Sequence, residues 1–190
     1  WIISKAVVPK CGKEAEDIIA AGQKSAFVEI FQKNTIHAIN RISDKACKGT
    51  QLHLYDVGTS SKWRIDWDAT YSAYTIHAVT GGEKDRGSAF TDGGVVWDVS
   101  GEDGEKVHLW DEQSKSENQN TSQFWRFIKQ DDGSYKIQNA RSGLYLALKD
   151  DDSNECFVLS DKGMQFEISA FADQTTPIND VNFAYATNWM

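Results

Sequence analysis

The side chains with chemical reach fall into two look-alike stretches. One is Val107-His108-Leu109-Trp110-Asp111, followed by Gln123-Phe124-Trp125. The other is Leu52-His53-Leu54-Tyr55-Asp56, followed by Ser61-Lys62-Trp63. In each, an imidazole and an aromatic ring stand at alternate positions and a carboxylate follows. Flat rings beside fixed polar groups are equipment for stacking and hydrogen bonding. Bond-making equipment is not in view. No Gly-x-Ser-x-Gly, His-Glu-x-x-His or Gly-Lys-Ser/Thr motif occurs. Gly81-Gly82 and Gly93-Gly94 have no helix pattern after them and read as hairpin turns. The acid runs Asp131-Asp132 and Asp150-Asp151-Asp152 read as solvated turns. The three cysteines, Cys11, Cys47 and Cys156, show no CxxC spacing, and no Cys/His pair has metal-ligand spacing. The expectation is a non-enzyme without metal or cofactor. One disulfide plus one free thiol is compatible with the count, and Cys11 with Cys47 is a conceivable pair.

These residues must be positioned by strands. Residues 12–24 carry helix formers with acids in the first turn and read as one short helix, with Gly22 a plausible stop. Beyond them the helical period vanishes. Short apolar or alternating runs follow about every ten residues, divided by Gly, Asp, Asn and Ser, which is the signature of an all-β sandwich or barrel. Trp63, Ile65 and Trp67 alternate onto one face. Asp132-Gly133 marks a hairpin turn. The loop over 112–122 is polar and belongs at the surface.

The runs arrange as three units. Each opens on a strand around an isoleucine, at 35–39, 75–79 and 135–139. Each continues with an apolar-x-Leu-x strand, at 52–55, 107–110 and 157–160. Each closes on an aromatic-x-apolar strand, at 63–65, 125–127 and 166–168. One unit's apolar face is too small to bury alone, so three pack their Trp, Phe and Leu into a shared core. The predicted architecture is an all-β β-trefoil of three pseudo-repeats over residues 25–171. A short N-terminal arm with its helix (1–24) and an extended, aromatic-rich C-terminal tail (172–190) flank it and pack on the domain or on a partner.

Composition narrows the partners. The net charge is −8, and the 20 Lys and Arg are scattered, which argues against nucleic acid. No run approaches the roughly 18 apolar residues of a membrane-spanning helix. The chain begins at Trp1 with no charged-then-apolar leader, which reads as a processed form or a piece of something longer.

The residues resemble the ricin-B-type lectin family. That family's repeats end on Gln-x-Trp, matched by Gln123-Phe124-Trp125. They carry an aspartate on an apolar strand, matched by Val96-Trp97-Asp98-Val99. An apolar-x-Leu-Trp strand lies between, matched by Val107–Trp110. The sequence Tyr135-Lys136-Ile137-Gln138-Asn139 with Ser142-Gly143 is also family-like. The resemblance covers about residues 25–171. It implies a carbohydrate-binding module for galactose-type glycans on cell surfaces, secreted or extracellular, as a free lectin or the targeting part of a toxin. In such sites the aspartate accepts from two sugar hydroxyls, the aromatic stacks on the sugar, and polar groups near Gln-x-Trp assist. Carried over, these roles fall on Asp98, His108, Trp110, Asn120 and Gln123 in the middle unit. In the first unit they fall on Asp44, His53 and Tyr55. The third unit has Ala147 and Ser160 where the acid and the aromatic belong, so no site is expected there.

Structural readings compete with several of these roles. Trp125 reads as core, and Gln123 as a partner for buried backbone groups. Trp110 is a stacking ring or a core ring, and Asp98 a ligand or a turn residue. The recurring Thr-Ile-His-Ala, at 35–38 and 75–78, points to one shared structural role for His37 and His77. Two other functions stay open. One is a non-catalytic protein-interaction subunit of a multi-component toxin that docks through the arm and tail, similar in architecture to the trefoil subunits of cytolethal distending toxin. The other is a trefoil protease inhibitor acting through the loop at 112–122.

Overall fold

The computed structural model describes residues 25–42, 46–80, 91–100, 106–113, 121–149 and 156–171. The expected helix, the C-terminal tail and Cys11 lie outside them, as do Asp44 and Asn120. The described residues form twelve strands: β1 Ser25–Gln32, β2 Ala38–Arg41, β3 Leu52–Tyr55, β4 Trp63–Asp68, β5 Ala73–Thr80, β6 Thr91–Val99, β7 Val107–Asp111, β8 Trp125–Lys129, β9 Tyr135–Asn139, β10 Tyr145–Leu148, β11 Phe157–Ser160 and β12 Phe166–Phe171. Short 3-10 turns at Thr59–Ser61 and Thr121–Gln123 precede β4 and β8.

Six strands close a ring. β1 pairs with β4, β4 with β5, β5 with β8, β8 with β9, β9 with β12, and β12 with β1, all antiparallel. The other six form three hairpins, β2–β3, β6–β7 and β10–β11. The hairpins meet through three single bridges, Gln51 with His108, His53 with Cys156, and Lys106 with Val158. A closed barrel capped by three mutually bridged hairpins is a β-trefoil, and closure removes the sheet edges of the ring.

Alternation explains why these sequences make this barrel. In β8, Trp125 and Phe127 point inward while Arg126 and Ile128 are more exposed; β9 buries Tyr135 and Ile137, and β12 buries Phe166 and Ile168. Trp63, Trp97 and Trp125 are fully buried at the centre. Trp97 meets Trp63 at 5.2 Å and Trp125 at 5.8 Å, edge to face in both cases. Burial of one such side chain contributes about 2–3 kcal/mol, and each aromatic pair about 1 kcal/mol more. The indoles also tie strands within a unit. Trp63 Nε1 donates to the Ile39 carbonyl at 3.0 Å, and Trp125 Nε1 donates to the Trp97 carbonyl at 3.2 Å. In the third unit Phe166 has no N–H to give, and the Leu146 carbonyl accepts from the Met164 backbone instead.

The phase of the first unit differs from the sequence expectation. Its opening strand is β1, because β1 occupies the ring as β5 and β9 do. Residues 35–37 form the turn into β2, and 38–41 the hairpin strand. The two Thr-Ile-His-Ala strings are therefore not equivalent. Thr35 caps a turn, accepting from His37 N and donating to the Gln32 carbonyl, after Asn34 at φ +62. His37 is half exposed and pairs with Asp56, whereas His77 lies buried in the middle of β5. Identity of four letters carried no register, because the hydrophobic parity around the two strings differs.

Candidate functional site

The hairpin register fixes which residues share a place. Asp98 stands across from His108 on β6–β7, Asn40 across from His53 on β2–β3, and Ala147 across from Val158 on β10–β11. The next outward positions are Trp110, Tyr55 and Ser160. The first-unit counterpart of Asp98 is thus Asn40.

The middle unit carries the fullest set. On β7, Val107 and Leu109 point into the core, so His108 and Trp110 share the outer face. Their rings stack nearly parallel, 5.2 Å between centroids with a 13° tilt. Asp98 is buried but fully supported. Its Oδ1 accepts from Ser122 Oγ at 2.8 Å and from its neighbour Val99 N at 2.7 Å, and its Oδ2 accepts from Gln123 Nε2 at 3.0 Å. These three donors fix the carboxylate across from His108 in the β6–β7 register. Burial holds the His108 imidazole below the ordinary histidine value, and the negative charge of Asp98 pulls it part of the way back. Its neutral form therefore dominates at neutral pH.

Gln123 does two jobs. Its Nε2 also donates to the Asp111 carbonyl at 2.9 Å, and its Oε1 accepts from Gln113 N at 3.0 Å. It satisfies backbone at the exit of β7 and aims Asp98. With Gln123 nearly all buried, it is a positioning residue. Ser122 was not singled out from sequence. The repeated Thr-Ser, at Thr59-Ser60 and Thr121-Ser122 four residues before each Trp, is the signal that could have found it. Trp125 and Leu109 are core; Trp110 is half-buried on the outer face.

The first unit repeats the layout with an amide. Ser60 Oγ donates to Asn40 Oδ1 at 3.0 Å, as Ser122 does to Asp98. Asn40 Nδ2 reaches three backbone carbonyls, those of Ala38, Tyr55 and Asp56, at 3.0–3.2 Å. Both its N–H groups are consumed within the hairpin. His53 and Tyr55 stack at 5.5 Å and 5°, and Tyr55 is 61% exposed. This unit keeps the aromatic platform, with an amide at the register position across from His53. The third unit presents only a methyl at Ala147.

One further polar cluster lies on the outer side of the barrel. Asp66 accepts from Ser25 Oγ at 2.6 Å, from the Arg64 guanidinium at 2.9–3.2 Å, and lies 3.2 Å from His77 Nε2. Thr75 Oγ1 meets the same nitrogen at 2.9 Å. Acid and hydroxyl converge on one ring nitrogen, so the acid does not orient the imidazole toward a nucleophile, as acyl-transfer chemistry requires. Burial alone would raise the Asp66 pKa. The bonds from His77, Ser25 and Arg64 and the Arg64 charge outweigh it and hold the carboxyl well below the usual carboxylate range. Among the described residues no group of three or more His, Cys, Asp or Glu could hold a metal ion. Cys47 is an exposed free thiol, and the Cys156 thiol lies 3.2 Å from Gln51 Oε1.

A family model described as ricin-type β-trefoil lectin domain-like matches residues 59–159, which include the whole β6–β7 site. No curated protein matches the sequence. Among solved structures, a mosquitocidal holotoxin is similar with a TM-score of 0.62 and 20% identity, over 81% of this chain and 18% of its own. The designed three-fold symmetric protein ThreeFoil is similar with a TM-score of 0.56 and 16% identity, over 75% of this chain and 96% of its own. SeviL, solved bound to asialo-GM1 saccharide, is similar with a TM-score of 0.50 and 15% identity, over 75% of this chain and 95% of its own. At these identities the likeness is one of fold. This chain spans less than a fifth of the holotoxin chain.

Proposed function

Because the chain belongs to the ricin-type β-trefoil lectin domain-like family, we propose that it binds carbohydrate through the outer face of the β6–β7 hairpin. The ligand class is a galactose-type glycan displayed outside the cell. One observation carries this reading: the Asp98 carboxylate, held by Ser122, Gln123 and Val99 N, faces His108 next to the Trp110 ring. In this reading Asp98 accepts from a sugar hydroxyl, and His108 offers a ring nitrogen beside it. The apolar face of the hexose lies on Trp110. SeviL, a protein of similar fold solved with a bound saccharide, supports carbohydrate binding in general. The function is binding without catalysis. A glycan array with the wild-type chain and Asp98→Ala tests it, with galactose-type signals expected for the first and lost in the second.

A second reading, a protein-interaction subunit of a larger toxin, is favoured by the apolar residues around the open end of β2–β3. Ile36, Tyr55 and Val57 are 49%, 61% and 41% exposed. Silence on the array, with co-purification of another chain that fails when residues 172–190 are deleted, supports this alternative.

A further inference from the structure

The middle platform is not built by the middle unit alone. Between β2 and β3 of the first unit, residues 47–50 make a turn closed by Thr50 N donating to the Cys47 carbonyl at 3.2 Å. Gly49 takes φ +83 at its third position, as a type II turn requires. Two backbone bonds pin this turn onto β7: Gly49 N donates to the Leu109 carbonyl at 2.7 Å, and Leu109 N donates to the Thr50 carbonyl at 2.8 Å. The bridge from Gln51 to His108 continues the contact. Lys48, the second residue of the turn, is thereby delivered to Trp110. Its ammonium lies 4.3 Å from the centre of the indole ring and 2.8 Å from Asp111 Oδ2.

We propose that Lys48 is a specificity-determining cap on the Trp110 platform, so that a neutral saccharide stacks there only by displacing its ammonium. A hexose on that part of the ring and the lysine head compete for the same space. The two contacts holding the lysine are a cation–π contact and an ion pair whose side chains are 49% and 60% exposed. Contacts of these kinds are individually weak and the ion pair is screened by salt. The cap is therefore displaceable, and its grip loosens as ionic strength rises. The distinguishing consequence is that affinity for an uncharged glycan increases with salt, whereas stacking and hydrogen bonding alone leave it nearly flat. The proposal rests on the lectin reading, and its test separates the two.

The first measurement needs no glycan. The Lys48 ε-methylene protons should be shifted upfield by the Trp110 ring current in the wild type and return to ordinary positions in Trp110→Leu; ordinary positions in the wild type overturn the cap. The second is titration with the strongest uncharged glycan from an array. Lys48→Ala should bind about three- to tenfold more tightly than the wild type and lose the salt dependence up to about 0.5 M. Lys48→Arg, which keeps a cation over the ring, should behave as the wild type. Equal or weaker binding by Lys48→Ala overturns the cap while leaving the lectin reading standing. Silence of wild type and Lys48→Ala alike overturns the lectin reading, and the specificity role with it.

Discussion

Asp98 and Trp125 stand close together in the fold and do different work. Trp125 is fully buried and its indole N–H is committed to the Trp97 carbonyl. Trp110 stands on the outer face of the same unit. Trp125→Ala should cost about 3–5 kcal/mol of stability and lose binding together with the fold. Trp110→Ala should cost less than about 1 kcal/mol and lose glycan binding alone; chemical denaturation beside a binding titration separates the two. His108 gives a finer test. Its pKa is lowered by burial and partly restored by Asp98, so its titration midpoint by NMR should lie below 6.5, and Asp98→Asn should lower it further. A midpoint that rises in Asp98→Asn contradicts the placement of the carboxylate. With a folded value below the unfolded one, neutral His108 contributes stability above the unfolded pKa, and this is lost as pH falls through the folded value. At this scale His53, Tyr55, His108 and Trp110 were legible, because two-residue alternation repeats in both units. Asn40 was not legible: ten residues (42–51) separate Arg41 from Leu52, but only seven (100–106) separate Val99 from Val107, so the residue facing His53 lies further back from its aromatic than Asp98 does from Trp110. Lys48 was hidden for another reason. It belongs to one unit and acts in the next, a relation that exists only after folding.

At the scale of elements, the three hairpins carry a carboxylate, an amide and a methyl at one shared register position, and the third also has Val158 and Ser160 where the others have a histidine and an aromatic ring. Under the proposed function, that position decides which hairpin presents a carboxylate to a ligand. The barrel strands are held from outside as well as by the core, and the Asp66 cluster joins β1, β4 and β5 through Ser25, Arg64 and His77. Replacing Asp66 with Asn should destabilise the fold by about 1–2 kcal/mol at neutral pH, since bonds to a charged acceptor are lost. The sign with pH follows from its depressed pKa. The ionised carboxylate stabilises the fold above the unfolded value near 3.8, and this contribution drains away as pH falls below it toward the lower folded value. The gap between wild type and Asp66→Asn in urea unfolding should therefore shrink on acidification; a gap that is constant from neutral to strongly acid pH contradicts the assignment. This cluster was invisible in the sequence because its members are spread over 25–77 and meet only when the ring closes.

For the whole molecule, the threefold plan was legible because three sets of Trp, Phe and Leu recur with the same alternation and each is too small to bury alone. The phase of the first repeat was not, since a chance tetrapeptide outweighed the parity of 25–32. The closed ring turns three hairpins outward, and under the proposed function only the β6–β7 hairpin carries the full set of acid, imidazole and indole. The most direct test of this account is a glycan-array comparison of the wild-type chain with Asp98→Ala, each checked for folding by near-ultraviolet circular dichroism. Galactose-type signals from the wild type, weakened at least roughly tenfold in the folded variant, are the predicted result; no signal from the folded wild type across galactose-type and sialylated glycans would contradict it.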